Sequence, residues 1–280
     1  MSRWPTDDLL VELAPDQVSL VHTARTLGWR GVRKTVTHER LTVAAGAPEA
    51  PPWRGAVDAL RAALPGVAGR GARARVILAN RLVRYALVPW SDALGGADEE
   101  AAFARHCFER VYGDAAAQWD LRVSDARAGT PRPASAVDAA LPGALRETFA
   151  AAGVRLESIQ PRLMAVCNEQ RRRLQGRHAW LALLEPGSLC LALLQQGRWV
   201  RLRSQRIGPG WRVELGLILA REAYLADPEA AARDVFVWAF GRDDVKLPDN
   251  DRWQFHLLVP KQSGGAVPAD AARVLAAQEG

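Results

Sequence analysis

The sequence predicts a two-lobed α/β protein built on a repeated strand meander. Between Ala179 and Ile207, two apolar runs, Trp180–Leu184 and Leu189–Leu194, flank Glu185-Pro186-Gly187-Ser188. Gln195-Gln196-Gly197 then leads to a third strand, Trp199–Ile207. Apolar runs of this length bounded by Pro and Gly read as buried strands. Near the N-terminus the pattern recurs. Leu9–Leu13, the turn Ala14-Pro15-Asp16-Gln17, the strand Val18–His22 and the basic strand Val32–Leu41 follow one another, and Glu12 precedes its turn as Glu185 precedes its own. Amphipathic helical segments alternate with short strands through the rest of the chain, as α/β architectures require. The pattern alone also fits two unrelated antiparallel meanders.

In order, Gly46 to Pro52 reads as a loop, and Trp53–Leu64 as a short amphipathic helix stopped by Pro65-Gly66, with Val57, Leu60 and Leu64 on its apolar side. Ala74–Leu78 and Leu82–Val88 read as paired strands joined at Asn80-Arg81 and closed by Pro89-Trp90. Ala101–Tyr112 is a strong helix, with Phe103, Cys107, Phe108 and Val111 on one stripe and Asp98, Glu99 and Glu100 at its positive end. Trp119–Ser124 is a strand and Arg127–Pro133 a polar loop. Pro142–Ala152 is a helix ended by Gly153. Val154–Ile159 is a strand, and Pro161–Leu174 a helix with Pro in its first turn. Within the third strand of the second meander, Arg201 and Arg203 alternate with Val200 and Leu202. Trp211–Ala226 is a helix stopped by Asp227-Pro228. Asp234–Phe240 and Trp253–Val259 are strands, and Lys261–Gly265 opens an Ala-rich tail.

Composition narrows the classes. At 280 residues, 49% hydrophobic and 24% charged, the chain is ordinary globular material for one large or two modest domains. It has no apolar run of the roughly 20 residues that span a bilayer, and its start lacks a signal-peptide pattern, so a soluble cytoplasmic protein is expected. Cys107, Cys167 and Cys190 have no metal-ligand spacing. The net charge of +6 is carried by scattered arginines whose longest block is Arg171-Arg172-Arg173. That charge could serve an acidic partner, a nucleic acid or a membrane surface, but the scatter of the arginines reads as a dispersed solvated exterior.

Phosphate-loop, dinucleotide, nucleophile-elbow and zinc-protease motifs are missing from the sequence, and the five histidines are isolated. No catalytic or metal-binding residue is therefore expected. Glu12, Asp16 and Glu185 sit at strand ends where carboxylates hold a metal–phosphate or merely meet water. Arg201 and Arg203 form a basic strand face or a solvent face. Asn80, Arg81, Arg84, Tyr85 and Trp90 concentrate polar donors and amphipathic aromatics in a few residues, the types that dominate interfaces, although alternation also permits Tyr85 to face the core.

The order of elements resembles the actin-like fold as used by PilM of type IV pilus assembly and by the cytoplasmic domain of GspL in type II secretion. Leu9–His22 looks like the first phosphate-loop hairpin, and the meander from Ala179 like the second. Arg75–Trp90 looks like the strand pair leading into a small inserted subdomain, whose helix and strand are Ala101–Tyr112 and Trp119–Ser124. Leu145–Gln170, with Ala152-Gly153-Val154 and Ile159-Gln160-Pro161, looks like the return into the second half. The resemblance implies a first lobe at 1–160 with an insertion at about 82–140, a second lobe at 161–260 whose outer subdomain is reduced, and a tail at 261–280.

Departures from the pattern shape the functional expectation. Nucleotide-binding members carry Asp-x-Gly turns, whereas Pro15 and Pro186 here remove a donor from each turn. The usual Gly-Gly after a strand is replaced by Ala239-Phe240-Gly241. A degenerate pseudo-ATPase without bound cofactor is expected, with an ATP/Mg-binding member as the alternative and a nucleic-acid-binding protein as a further one. The resemblance implies a cytoplasmic adaptor, peripheral to the inner membrane through its partner. That partner is the cytoplasmic segment of an inner-membrane assembly protein, or the assembly ATPase. It is expected at Asn80, Arg81, Arg84, Tyr85 and Trp90, and nucleic acid and membrane insertion are not expected. Unlike in GspL, a membrane helix after this region is not expected.

Overall fold

The computed structural model describes residues 7–28, 31–44, 47, 49–226, 232–240 and 245–259. Expectations for Asp227-Pro228, Gly241 and the tail 261–280 lie outside the described residues. The chain divides into two compact units: residues up to Val83 with Val137–Ala165, and Arg84–Ala136 with the residues from Val166 onward.

In the first unit, strands β1 (Asp8–Ala14), β2 (Gln17–Gly28) and β3 (Gly31–Thr42) form the expected meander. Helix α1 (Arg54–Val67) returns the chain to β4 (Arg73–Leu78), which runs parallel to β1. Helix α3 (Ala140–Ala151) precedes β8 (Arg155–Pro161), giving the order β3-β2-β1-β4-β8. Alternation along β1 buries Leu9, Val11 and Leu13 on one face. Helix α1 packs on β1, β2 and α3, presenting Val57, Leu60 and Leu64 as buried residues. It runs past the expected stop. Pro65 lies inside its last turn, and the helix closes with the Ala68 N–H on the Leu64 carbonyl. Gly153 takes the left-handed conformation (φ +68°) that ends α3, as its sequence position implies.

The second unit repeats this plan. Strands β9 (Ala179–Glu185), β10 (Ser188–Gln195) and β11 (Arg198–Arg206) form a meander, and α6 (Trp211–Ala226) crosses to β12 (Asp234–Ala239). With β13 (Gln254–Leu257) the order is β11-β10-β9-β12-β13. The match extends to individual backbone bonds. Val43 N–H reaches the Asp16 carbonyl as Ile207 N–H reaches that of Gly187, and Ala79 N–H reaches Leu13 as Phe240 N–H reaches Leu184. The two meanders are thus one repeated unit. The repeat also corrects a sequence correspondence. Ala14 pairs with Gln17 across the first tip and Glu185 with Ser188 across the second, so Glu185 corresponds to Ala14 and Glu12 to Leu183.

Strands β9 and β10 are buried on both faces, as expected for continuous apolar runs. Trp180, Ala182, Leu189, Leu191 and Leu193 share a core with Leu215 and Leu219 of α6. Leu181 and Leu183 are buried on the opposite face. Gln196 (φ +51°) and Gly197 (φ +77°) make the two-residue tip between β10 and β11, both in the left-handed region that such hairpins use. Between β12 and β13 the described residues form no helix or strand.

The inserted segment holds β5 (Arg84–Val88), α2 (Ala97–Tyr112), β6 (Trp119–Val123) and β7 (Arg132–Asp138), with the order β5-β7-β6. Phe108, Tyr112 and Trp119 form an aromatic cluster, with centroids 5.3–6.5 Å apart, over Ala104, Ala134 and Ala136. Two sequence expectations change here. β4 and β5 are not a hairpin: a 3₁₀ turn at Asn80–Leu82 sends them into different sheets, and β5 pairs antiparallel with β7. The expected loop Arg127–Pro133 ends in β7. The segment read from the sequence as an insertion of the first lobe clusters with the second unit, where β5 packs against β11.

Cysteine burial gives a pH expectation. Burial pushes the Cys190 thiol from 9.0 up to about 12, with a Ser204 hydrogen bond opposing the shift and Glu185 adding to it. Cys167 is raised as well, first by burial and then by Cys190. A thiol that stays protonated in the fold adds stability that is present below about pH 9 and lost as pH rises toward about 12. A falling Tm above about pH 9 is therefore expected, with a shallower fall in Cys190→Ala. An equally steep fall in that variant would rule out Cys190 as its source.

Candidate functional site

The turn after β1 is the place where an actin-like protein would meet phosphate. Here its carboxylates already have partners. Glu12, on the half-buried face of β1, is paired with Arg162 at the start of helix α4 (Arg162–Glu169). Arg162 is only 2% exposed. Asp16, at the tip, accepts a hydrogen bond from Arg81 at 2.8 Å. A two-residue tip offers at most two backbone N–H groups, and Pro15 removes one of them. The second tip repeats this limitation. Pro186 supplies no donor and Gly187 (φ +71°) completes the turn, while Glu185 and Ser188 are buried. Among the described residues, no three His, Cys, Asp or Glu side chains are grouped to hold a metal ion.

The five residues expected to receive a partner fall into two sets. Asn80 and Arg81 belong to the first unit, where Asn80 is buried in the 3₁₀ turn and Arg81 is engaged with Asp16. Arg84, Tyr85 and Trp90 belong to the inserted segment. Tyr85 is buried, and its carbonyl accepts the Tyr112 hydroxyl at 2.8 Å. Burial and its distance from water raise the Tyr112 hydroxyl pKa, against the lowering effect of that hydrogen bond. Arg84 is exposed at the start of β5. Trp90 is half-buried: its indole N–H donates to Asp92 at 2.7 Å, and the Arg132 guanidinium lies 6.0 Å from its ring centroid. Arg132 in turn pairs with Glu100 at 2.7 Å. Of the inserted segment's three expected residues, Arg84 is exposed, Trp90 half-buried and Tyr85 buried.

Arg201 and Arg203 form neither a free basic face nor a simple solvent face. Both reach Glu222 of α6, at 2.5 and 3.5 Å, and Arg221 reaches it at 3.1 Å. Glu222 is 1% exposed. The sequence held the signal for this. Glu222 falls on the stripe of Leu215, Ile218 and Leu219, where a carboxylate needs a cationic partner. Arg162 gave no comparable signal, because its partner is 150 positions away.

No family model and no curated protein matches the chain. Solved structures do. The cytoplasmic domain of EpsL, an inner membrane component of the type II secretion system of Vibrio cholerae, aligns with a TM-score of 0.54 at 13% identity, over 98% of this chain and 95% of that one. The PilM–PilN type IV pilus biogenesis complex gives 0.55 at 15% identity, over 85% and 82%. A Bacteroides thetaiotaomicron protein with an actin-like ATPase fold and unknown function gives 0.51 at 9% identity, over 85% and 83%. The chain has the actin-like fold. Among the described residues, no helix is long and apolar enough to cross a membrane.

Proposed function

We propose that this protein is a non-hydrolysing actin-like adaptor that binds the cytoplasmic segment of an inner-membrane protein in a pilus or secretion-type assembly. The observation that carries the reading is the state of the first turn. Glu12 is engaged by Arg162 and Asp16 by Arg81, while proline occupies both tips. Carboxylates held this way are poorly disposed to place a magnesium ion, and the tips offer few donors to phosphate. The fold persists while the chemistry of its nucleotide site is weakened, which favours a binding role. The kinds of proteins that share the fold support the setting: one is an inner membrane component of a secretion system and another stands in a complex with PilN. On this reading the protein is cytoplasmic and held at the inner membrane by its partner, with the assembly ATPase as a further contact.

The accessible docking residues on the inserted segment are Arg84 and Trp90. Arg84→Ala and Trp90→Ala are expected to keep the parent melting midpoint and to weaken capture of the partner's cytoplasmic segment by about 2 kcal/mol each, roughly thirtyfold. Parent-like capture by both folded variants would move the site elsewhere. Calorimetry with Mg-ATP tests the other half of the reading: no binding in the micromolar range is expected, and such binding would overturn the pseudo-ATPase assignment.

A further inference from the structure

One end of the second unit gathers arginines from two separate segments. Helix α5 (Arg171–Leu174) is a single turn whose Leu174 is buried, so Arg171, Arg172 and Arg173 fan out over the exposed remainder. Arg177 follows on the way into β9. The Gln196-Gly197 tip, which precedes Arg198, lies directly against this segment. Gly197 N–H donates to the Arg177 carbonyl at 3.2 Å, and a Cβ on Gly197 would come within 3.2 Å of the Gly176 nitrogen. From Gln170 to His178, and again from Gln195 to Trp199, the sequence has five arginines and no carboxylate.

Several arginines elsewhere in the fold are paired. Arg25 pairs with Asp8, Arg81 with Asp16, Arg132 with Glu100, Arg162 with Glu12 and Arg201 with Glu222. None of the five arginines at this end is in an ion pair with a described residue, and all five are exposed. Like charges held together without counter-ions among the described residues suit an external anion.

Apolar exposure occurs at the same end. Helix α6 leaves the far end of β11 and returns to the start of β12, where Asp234 is level with Ala179, the first residue of β9. Its last turn therefore lies toward the end of the sheet that carries the arginines. In that turn Tyr224 is 78% exposed and Leu225 55% exposed. Arginines and an exposed aromatic and leucine toward the same end of the sheet match the headgroup and interfacial layers of a bilayer, which take cations and amphipathic rings together. A nucleic acid would satisfy the charge but would leave the apolar pair in water. This end is made of turn tips and has no groove-reading helix.

We infer that this end of the second unit binds the anionic phospholipid surface of a membrane, with Arg171, Arg172, Arg173, Arg177 and Arg198 facing the headgroups and Tyr224 and Leu225 entering the interface. The contact is independent of the proposed partner, because it is made by the chain itself.

The test is flotation of the purified protein with phosphatidylglycerol–phosphatidylcholine vesicles, without any partner protein. Binding is expected that is absent with pure phosphatidylcholine and falls as salt rises from about 50 to about 500 mM. Each arginine near such a surface adds to the attraction, so the Arg171→Gln/Arg172→Gln/Arg173→Gln triple variant should bind at least tenfold more weakly. If that variant does not fold, Arg177→Gln/Arg198→Gln replaces it, with a loss of several-fold expected. Tyr224→Ser/Leu225→Ser should lose the binding that persists at high salt. Arg84→Ala should float like the parent, which separates this result from the partner-capture assay. Equal binding to pure phosphatidylcholine, or parent-like flotation of the arginine variants, would overturn the inference. So would full competition by millimolar inorganic phosphate, which would mark a phosphate site, or tighter binding to duplex DNA than to vesicles at about 150 mM salt, which would mark a nucleic-acid surface.

Discussion

Glu12→Ala is expected to lower the unfolding free energy by about 3 kcal/mol in a reversible urea melt. The pair it breaks is largely withdrawn from water, with side-chain exposures of 3% for Arg162 and 23% for Glu12. Removing the carboxylate leaves a buried guanidinium without that counter-charge, which costs more than the pair itself contributes. A Glu12→Leu/Arg162→Met double variant should therefore recover much of the loss, because two apolar groups of similar size need no desolvated charge. A single-variant loss below about 1 kcal/mol would show that Arg162 relaxes to water and that the pair has no structural role.

Trp180→Ala is expected to cost about 3–5 kcal/mol and to lower the Tm of the second unit. The indole is 1% exposed and packs in the same core as Leu191, Leu193 and the buried side of α6. Few neighbours in a two-sided sheet can collapse into the space it leaves, so both the transfer term and the cavity term apply. Leu191→Ala should follow with about 2–5 kcal/mol. Losses below about 1 kcal/mol in both would place this face of β9 and β10 at the surface.

The meanders were legible because continuous apolar runs stopped by Pro and Gly have few other readings. Leu181, Leu183, Leu191 and Leu193 were expected in the core and are buried there. Strand β7 escaped because Pro133-Ala134-Ser135-Ala136 lacks β-branched and aromatic residues; cross-strand pairing to β5 makes it a strand. The Asn80-Arg81 turn was visible, but a turn signal does not say whether the next strand folds back or leaves the sheet. Alternation alone could not decide the side of Tyr85, and its burial follows from contacts in the inserted core. The pairing of Glu12 with Arg162 depends on β8 lying two strands from β1, a fact of topology that no local pattern encodes.

The first unit's discontinuity has a consequence for synthesis. Its residues up to Val83 leave the ribosome before the inserted segment, and the helix and strand that complete it, α3 and β8, end only at Pro161. At roughly 5–20 residues per second, several seconds separate the two parts. During that interval β4 has β1 on one side and no β8 on the other, so Val76 and Leu78, fully covered in the finished sheet, border an open strand edge. The nascent chain should therefore be most prone to association, and most dependent on holding chaperones, between emergence of β4 and emergence of β8.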